Sequence, residues 1–238
     1  MMNLCELRDN WSGVPFQKNQ FLERYDIEFS SFRNKKDLRI LELGVKEGGS
    51  LELWSQYFND IAFMVGVDID LTPMYPDLRS RCYSGDLRFV HLYERDLKDP
   101  DTYEILRKFG GFDIIIDDAS HRTDDIILSF NSLFPILNKG GLYCVENLCL
   151  TDDKIKNFVH QMVLDSNGLT DYGCDPDRMN YMCWWIRSVY FEEQLMIVKK
   201  DLWEKDGDVS IMHEKVVRDD SMLTQEAHLY HINKNKSV

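Results

Sequence analysis

The chain has 238 residues, 44% hydrophobic and 29% charged, which is enough apolar mass to bury one large core. A formal net charge of −13 argues against a broad basic surface of the kind that grips nucleic acid or anionic membrane. No apolar run approaches the ~20 residues needed to cross a bilayer.

The opening Met-Met-Asn-Leu-Cys-Glu-Leu-Arg-Asp lacks the basic and then apolar regions of a secretory leader. The six cysteines (Cys5, Cys82, Cys144, Cys149, Cys174 and Cys183) include no Cys-x-x-Cys pair. Both features predict a cytoplasmic protein with reduced thiols.

Residues 1–37 are mixed. Phe21, Leu22, Tyr25, Ile27, Phe29 and Phe32 have imperfect helical spacing, which predicts a helix packed on a sheet or a lid over a site. Residues 38–43, Leu-Arg-Ile-Leu-Glu-Leu, read as the first strand. It runs into Gly44-Val-Lys-Glu-Gly-Gly-Ser50, and a helix pattern follows through Leu51, Leu53, Trp54, Tyr57 and Phe58. Strand, glycine turn and helix open a nucleotide-type α/β fold. Gly44, Gly48 and Gly49 let backbone approach a ligand, and helix N-terminal amides attract a carboxylate or phosphate. Trp54 reads as helix packing.

Residues 62–67 are the second strand, ending in Asp68 and Asp70; an acid there suits hydrogen bonding to ribose hydroxyls. Residues 71–84 carry Pro73 and Pro76 and predict a loop with a short helix. Residues 89–93 are the third strand, followed by Glu94, Arg95 and Asp96. A helix over 100–109 is broken at Gly110-Gly111.

The next strand organises the rest. Ile114, Ile115 and Ile116 predict a buried parallel strand, and Asp117 and Asp118 stand at its end with His121 just beyond. The spacing predicts an amphipathic helix over 124–137, stopped by Asn-Lys-Gly-Gly at 138–141, and then a strand over 142–145 that closes at Glu146 and Asn147. Ligands of open α/β sheets bind outside the carboxyl ends of the strands. If the two strands are neighbours, Asp118, His121, Glu146 and Asn147 face one crevice and can hold a hard divalent cation with a base beside it.

Residues 154–164 predict a helix and 166–180 a polar insertion. Residues 184–190 and 194–199 form an antiparallel hairpin, because their short connection cannot make a parallel crossover. Residues 201–238 are charged and peripheral, and His213, His228 and His231 lack ligand spacing. The chain thus reads as one α/β domain: a segment 1–37, a core sheet with helices over 38–200, and a tail. The sheet is Rossmann-like and doubly wound, mostly parallel, with an antiparallel strand near the end.

The glycine turn is not the dinucleotide fingerprint, since Val45, Lys46 and Glu47 fill its middle. Glu42-Leu-Gly44 instead resembles the first motif of class I S-adenosylmethionine-dependent methyltransferases, with Lys46 where that motif has its central glycine. Later pieces narrow the resemblance. Leu-Glu-Leu-Gly-Val-x-x-Gly-Gly-Ser-Leu-x-x-Trp, Val-Gly-Val-Asp-Ile, Ile-Ile-Asp-Asp-Ala-Ser-His and Gly-Gly-Leu-Tyr-Cys-Val-Glu-Asn resemble the macrocin and mycinamicin sugar O-methyltransferases and their cephalosporin hydroxylase-like relatives, over residues 38–147.

The resemblance implies a seven-stranded methyltransferase sheet and S-adenosylmethionine as cofactor. Glu42, Gly44, Gly48, Gly49 and Ser50 would serve the methionine part, Asp68 the ribose and Asp96 the adenine, with Asp117 by the methionine end. It also implies Mg²⁺ on Asp118, Glu146 and Asn147, and His121 as base. Asn147 stands where the family has aspartate, so the set supplies two negative charges rather than three.

Each residue has a plainer role as an alternative. Asp117 and Asp118 can cap the following segment, His121 can be an exposed loop histidine, and Glu146 can pair with a lysine or arginine. The expected acceptor is a hydroxyl of a sugar or other small polar molecule; nucleic acid and membrane are not expected partners, and a homo-oligomer stays open. N-methylation and a non-catalytic nucleoside-binding domain are the rival functions.

Overall fold

In the computed structural model the described residues are 2–151, 153–166 and 185–201. The expected insertion beyond residue 166, Trp184 and the tail beyond 201 lie outside them, as do Cys174, Cys183, His213, His228 and His231.

Among the described residues seven strands form one sheet: β1 (Leu38–Leu43), β2 (Ile61–Asp68), β3 (Val90–Glu94), β4 (Phe112–Asp117), β5 (Leu137–Val145), β6 (Ile186–Glu192) and β7 (Leu195–Lys200). Their order is β3-β2-β1-β4-β5-β7-β6. The pairs β1·β2, β2·β3, β1·β4 and β4·β5 are parallel, and β7 runs antiparallel to both β5 and β6. This is the expected mostly parallel, doubly wound sheet with one reversed strand. The strand order turns back between β1 and β4, which is where such sheets open a crevice.

The two-residue pleat sorts the side chains. Leu38, Ile40, Ile114, Ile116, Leu142, Cys144 and Ile197 pack on one face with α1 (Leu4–Asp9), α2 (Leu22–Phe29), α3 (Gly49–Tyr57) and α4 (Pro76–Ser84). Leu41, Leu43, Ile115, Tyr143, Val145, Met196 and Val198 pack on the other with α5 (Pro100–Arg107), α6 (Thr123–Leu133) and α7 (Asp153–Ser166). The α2 helix buries Leu22, Tyr25 and Phe29, one apolar stripe at helical spacing. Trp54 joins them, with its ring centroid 5.7 Å from Tyr25 and 5.6 Å from Phe29.

The structure corrects the expected helix over 124–137. The α-helix ends at Leu133, Phe134–Ile136 is a 3-10 turn, and β5 already starts at Leu137. Pro135 has no N–H to continue the ladder, and its ring crowds the carbonyl one turn back. The expected stop at 138–141 is therefore strand. It bulges between two paired positions, since Phe112 faces Leu137 while Ile114 faces Leu142.

Candidate active site

The strand ends explain the site. Parity along the pleat puts Glu42, Asp118 and Glu146 on the same face, the one that α2 and α3 cover. Main-chain bonds lock the three ends in register: the Asp118 N–H donates to the Leu43 carbonyl (2.9 Å) and the Glu146 N–H to the Asp117 carbonyl (2.9 Å). Asp117, one residue off that parity, turns the other way. Its buried carboxylate accepts from the Tyr143 hydroxyl at 3.2 Å, and burial pushes its pKa up to about 7 against hydrogen bonds that favour the charge.

Gly44 carries φ +82, and a Cβ on it would lie 2.2 Å from the Asp118 carbonyl oxygen. Only glycine allows β1 to end so close under β4. Gly48 (φ +87) precedes α3, which has no side-chain cap hydrogen bond. Lys46, at the family's central glycine, has φ 46: the backbone keeps the left-handed turn that glycine would favour. Its N–H donates to Asp68 Oδ2 at 2.8 Å, tying the turn to the end of β2. His121 (φ 57) and Asn147 (φ 53) are also left-handed, so backbone strain gathers at this crevice.

His121 Nε2 lies 3.0 Å from Asp118 Oδ1, and Asn147 Nδ2 lies 3.2 Å from both. The amide nitrogen faces the carboxylate, as charge dictates; a half-turn of the side chain would face its oxygen the same way. Burial works against Asp118's charge, but the His121 hydrogen bond and the Lys18 ammonium outweigh it and lower its pKa. The hydrogen bond to Asp118 raises that of His121.

Lys18 is the residue that sequence reading missed. Its ammonium, 2% exposed, sits 2.7 Å from Glu146 Oε1, 2.9 Å from Asp118 Oδ2 and 3.1 Å from Glu42 Oε1. Glu146 does pair with a lysine, the plainer role foreseen for it, yet the same lysine binds Asp118. The Glu42 contact is an ion pair rather than a hydrogen bond, since Oε1 has no hydrogen-bond partner of good geometry. Glu42 Oε2 accepts from the Trp54 indole at 3.2 Å, so Trp54 does more than pack. The Tyr25 hydroxyl donates to Glu146 Oε1 at 2.7 Å. Burial nonetheless pushes Glu146 up to about 7, opposed by Lys18. Removing one partner from such a buried cluster costs about 3–5 kcal/mol.

Lys18 arrives on a non-helical segment, residues 11–18, that crosses the start of α3. A Cβ on Gly49 would meet the Pro15 carbonyl oxygen at 2.1 Å, the Val14 N–H donates to Glu52 Oε2 at 2.8 Å, and the Trp11 indole to the Val14 carbonyl at 2.8 Å. A cleft runs between this segment (Pro15, Phe16, Lys18) and the turn (Gly44, Gly48, Ser50), and Asp118 also lines it. Within residues 1–37, α2 packs on the sheet, and residues 11–18 lie against the start of α3.

Gly44, Gly48, Gly49 and Ser50 thus share a wall, and Asp118, His121, Glu146 and Asn147 converge beside it. Glu42 is sealed beneath Lys18. Asp96 stands apart, its carboxylate accepting from the Lys98 N–H at 2.8 Å, while its neighbour Asp99 caps α5. Among the described residues no three His, Cys, Asp or Glu side chains form a metal-ligand set. The donors here are two carboxylates and an amide, hard oxygen groups suited to Mg²⁺. The pair Asp118 and Glu146 already shares one cation, the Lys18 ammonium.

No family model matches the chain. It is 35% identical over 135 residues to mycinamicin VI 2''-O-methyltransferase of Micromonospora griseorubida, covering 54% of this chain and 31% of that protein. It is 33% identical over 150 residues to demethylmacrocin O-methyltransferase of Streptomyces fradiae, covering 60% and 34%. The match to 8-demethyl-8-alpha-L-rhamnosyl tetracenomycin-C 2'-O-methyltransferase of Streptomyces olivaceus is 34% over 148 residues, covering 59% and 35%. The chain spans about a third of the length of these curated relatives. Among solved structures it is similar to MycE, a methyltransferase of the mycinamycin biosynthetic pathway in complex with Mg and SAH. The TM-score is 0.70 at 25% identity, over 87% of this chain and 56% of that one.

Proposed function

We propose that this chain, which has the class I methyltransferase fold and resembles the macrocin and mycinamicin sugar O-methyltransferases, transfers a methyl group from S-adenosylmethionine to a hydroxyl of a sugar or other small polar acceptor. The observation that carries the reading is the convergence of Asp118, His121, Glu146 and Asn147 beside a left-handed glycine turn at the uncapped start of a helix. The names of the three relatives above, O-methyltransferases of mycinamicin VI, demethylmacrocin and a rhamnosyl tetracenomycin-C, and the Mg and SAH of MycE support it.

Gly49 and Ser50 offer the backbone amides at the start of α3 to the donor's methionine carboxylate, and Gly44 and Gly48, whose own N–H groups donate to the Val67 and Val45 carbonyls, let the turn approach it closely. Asp68 accepts hydrogen bonds from the ribose, Asp96 from the adenine amine. Glu42 lies buried below the turn against Lys18 and the Trp54 indole, and Asp117 supports the end of β4 from the far face.

An alcohol's pKa is far above 7, so its proton must leave as the methyl moves. His121 accepts it, and Asp118, hydrogen-bonded to the ring, orients the imidazole and stabilises its charged form. Asp118, Glu146 and Asn147 would hold Mg²⁺, which when bound supplies Lewis-acid stabilisation of the developing alkoxide. Fixing the acceptor oxygen in line with the methyl supplies further rate.

The test is methyl transfer from labelled S-adenosylmethionine to a panel of glycosides and amines, with and without chelator. Turnover of hydroxyl acceptors that stops in chelator and returns with Mg²⁺ is expected. Turnover of amines alone would replace this reading with N-methylation, and donor binding without turnover of any acceptor would point to the non-catalytic rival.

A further inference from the structure

We propose that Lys18 is a tethered cation that competes with a divalent metal ion for Asp118 and Glu146, and so sets how tightly this site takes metal. The inference rests on the metal reading above and goes beyond it by naming the residue of this chain that tunes the site.

The geometry points to one place contested by two cations. Lys18 Nζ contacts Asp118 Oδ2 at 2.9 Å and Glu146 Oε1 at 2.7 Å, on the two carboxylates that would ligate a metal. An ammonium has three N–H donors, and three carboxylates surround this one. Lysine is almost never fully buried without such pairing, so the cluster is built for a cation. A dication on the same carboxylates would meet a like charge at close range, in a setting water screens poorly.

The tether makes the competitor permanent. Residues 11–18 are pinned at the Val14 N–H to Glu52 and pressed on Gly49, so the ammonium is delivered at a high effective concentration. The third partner, Glu42, gives Lys18 somewhere to stay. Its Oε1 lies 3.1 Å away, is fully buried and lacks another hydrogen bond, so a small shift of Nζ towards it exchanges partners without exposing the charge. Lys18 is in this sense a positioning residue that balances the acidic strand ends until metal arrives.

The experiment measures Mg²⁺ binding to the full chain by calorimetry, without donor or acceptor. Lys18→Met removes the charge at similar length, and Lys18→Gln does so while keeping a donor; both are expected to tighten Mg²⁺ at least tenfold. Lys18→Arg keeps the charge and is expected to bind no tighter than wild type. Mg²⁺ is also expected to raise the melting temperature of Lys18→Met by more than that of the wild type.

A merely structural lysine would loosen the cradle when removed, so Met and Gln variants with equal or weaker affinity overturn the proposal. Should both neutral variants fail to fold even in Mg²⁺, the wild type decides. Its buried lysine ammonium, followed by ¹⁵N NMR, is expected to shift on titration with Mg²⁺, and an unmoved resonance at saturating metal overturns the proposal. Absence of Mg²⁺ binding to wild type and variants alike would overturn the metal reading and this inference with it, whereas wild-type binding with no gain in the variants overturns this inference alone.

Discussion

Replacing Gly44 by alanine, with Gly140→Ala as its partner, separates two costs that usually come together. Both glycines are left-handed, at φ +82 and +78. An alanine in that region costs about 1–2 kcal/mol from its own Cβ. At Gly140 the added carbon meets nothing within 4 Å, so the backbone cost is the whole effect. At Gly44 it would lie 2.2 Å from the Asp118 carbonyl oxygen and 2.8 Å from Ala119 Cα, well inside van der Waals contact. The end of β4 must then back away by over about 1 Å, and overpacking of that kind costs about 1–3 kcal/mol more. Urea denaturation should therefore show Gly44→Ala destabilised by about 2–5 kcal/mol and Gly140→Ala by about 1–2 kcal/mol. Because Gly44 belongs to the turn that receives the donor, Gly44→Ala should also weaken S-adenosylmethionine binding in calorimetry, and Gly140→Ala should not. Equal destabilisation of the two variants, or unchanged donor affinity in Gly44→Ala, would refute the close approach of β1 and β4 as the reason for the glycine.

Asp68→Ala should weaken donor binding by about 1–3 kcal/mol, the cost of losing a charged hydrogen-bond partner; unchanged affinity in calorimetry would remove Asp68 from the donor site. His121→Ala should leave donor binding intact and slow methyl transfer by about 10²–10⁴-fold, and a mild loss in single-turnover assays would end its role as base. Burial lowers the pKa of Lys200 to about 7, although its ammonium donates to the Phe134 and Pro135 carbonyls and lies 4.4 Å from the Trp185 ring. Between about pH 7 and 10.4 the unfolded lysine keeps a proton that the folded one sheds, so this contribution rises with pH and is lost as pH falls through 7. The span is up to about 5 kcal/mol, less what the carbonyls and ring return to the charged form. The stability difference between wild type and Lys200→Met, read by urea denaturation from pH 6.5 to 10, should change in that direction; a constant difference would show that Lys200 stays charged.

Local chemistry made much of this fold readable from the sequence. The run Ile114–Ile116, the alternation of Leu-Arg-Ile-Leu-Glu-Leu and the glycines after Leu43 are each decided by neighbours a few residues away. The pleat that alternates Asp117 and Asp118 is equally local, and so is the proline that ends α6 at Leu133, four residues before the end expected for it. The register of β1, β4 and β5 is not local: it takes the closed sheet to bring Glu42, Asp118 and Glu146 to one level on one face. Lys18 lay beyond any pattern. Nothing in Val-Pro-Phe-Gln-Lys marks a buried ammonium, because lysine is ordinarily solvated and its partners stand 24, 100 and 128 residues further along. Backbone preference and hydrophobic period are set residue by residue, so a sequence displays them. A buried charge is held by the summed field of groups that only folding assembles, and that is why its place was decided by the tertiary structure alone.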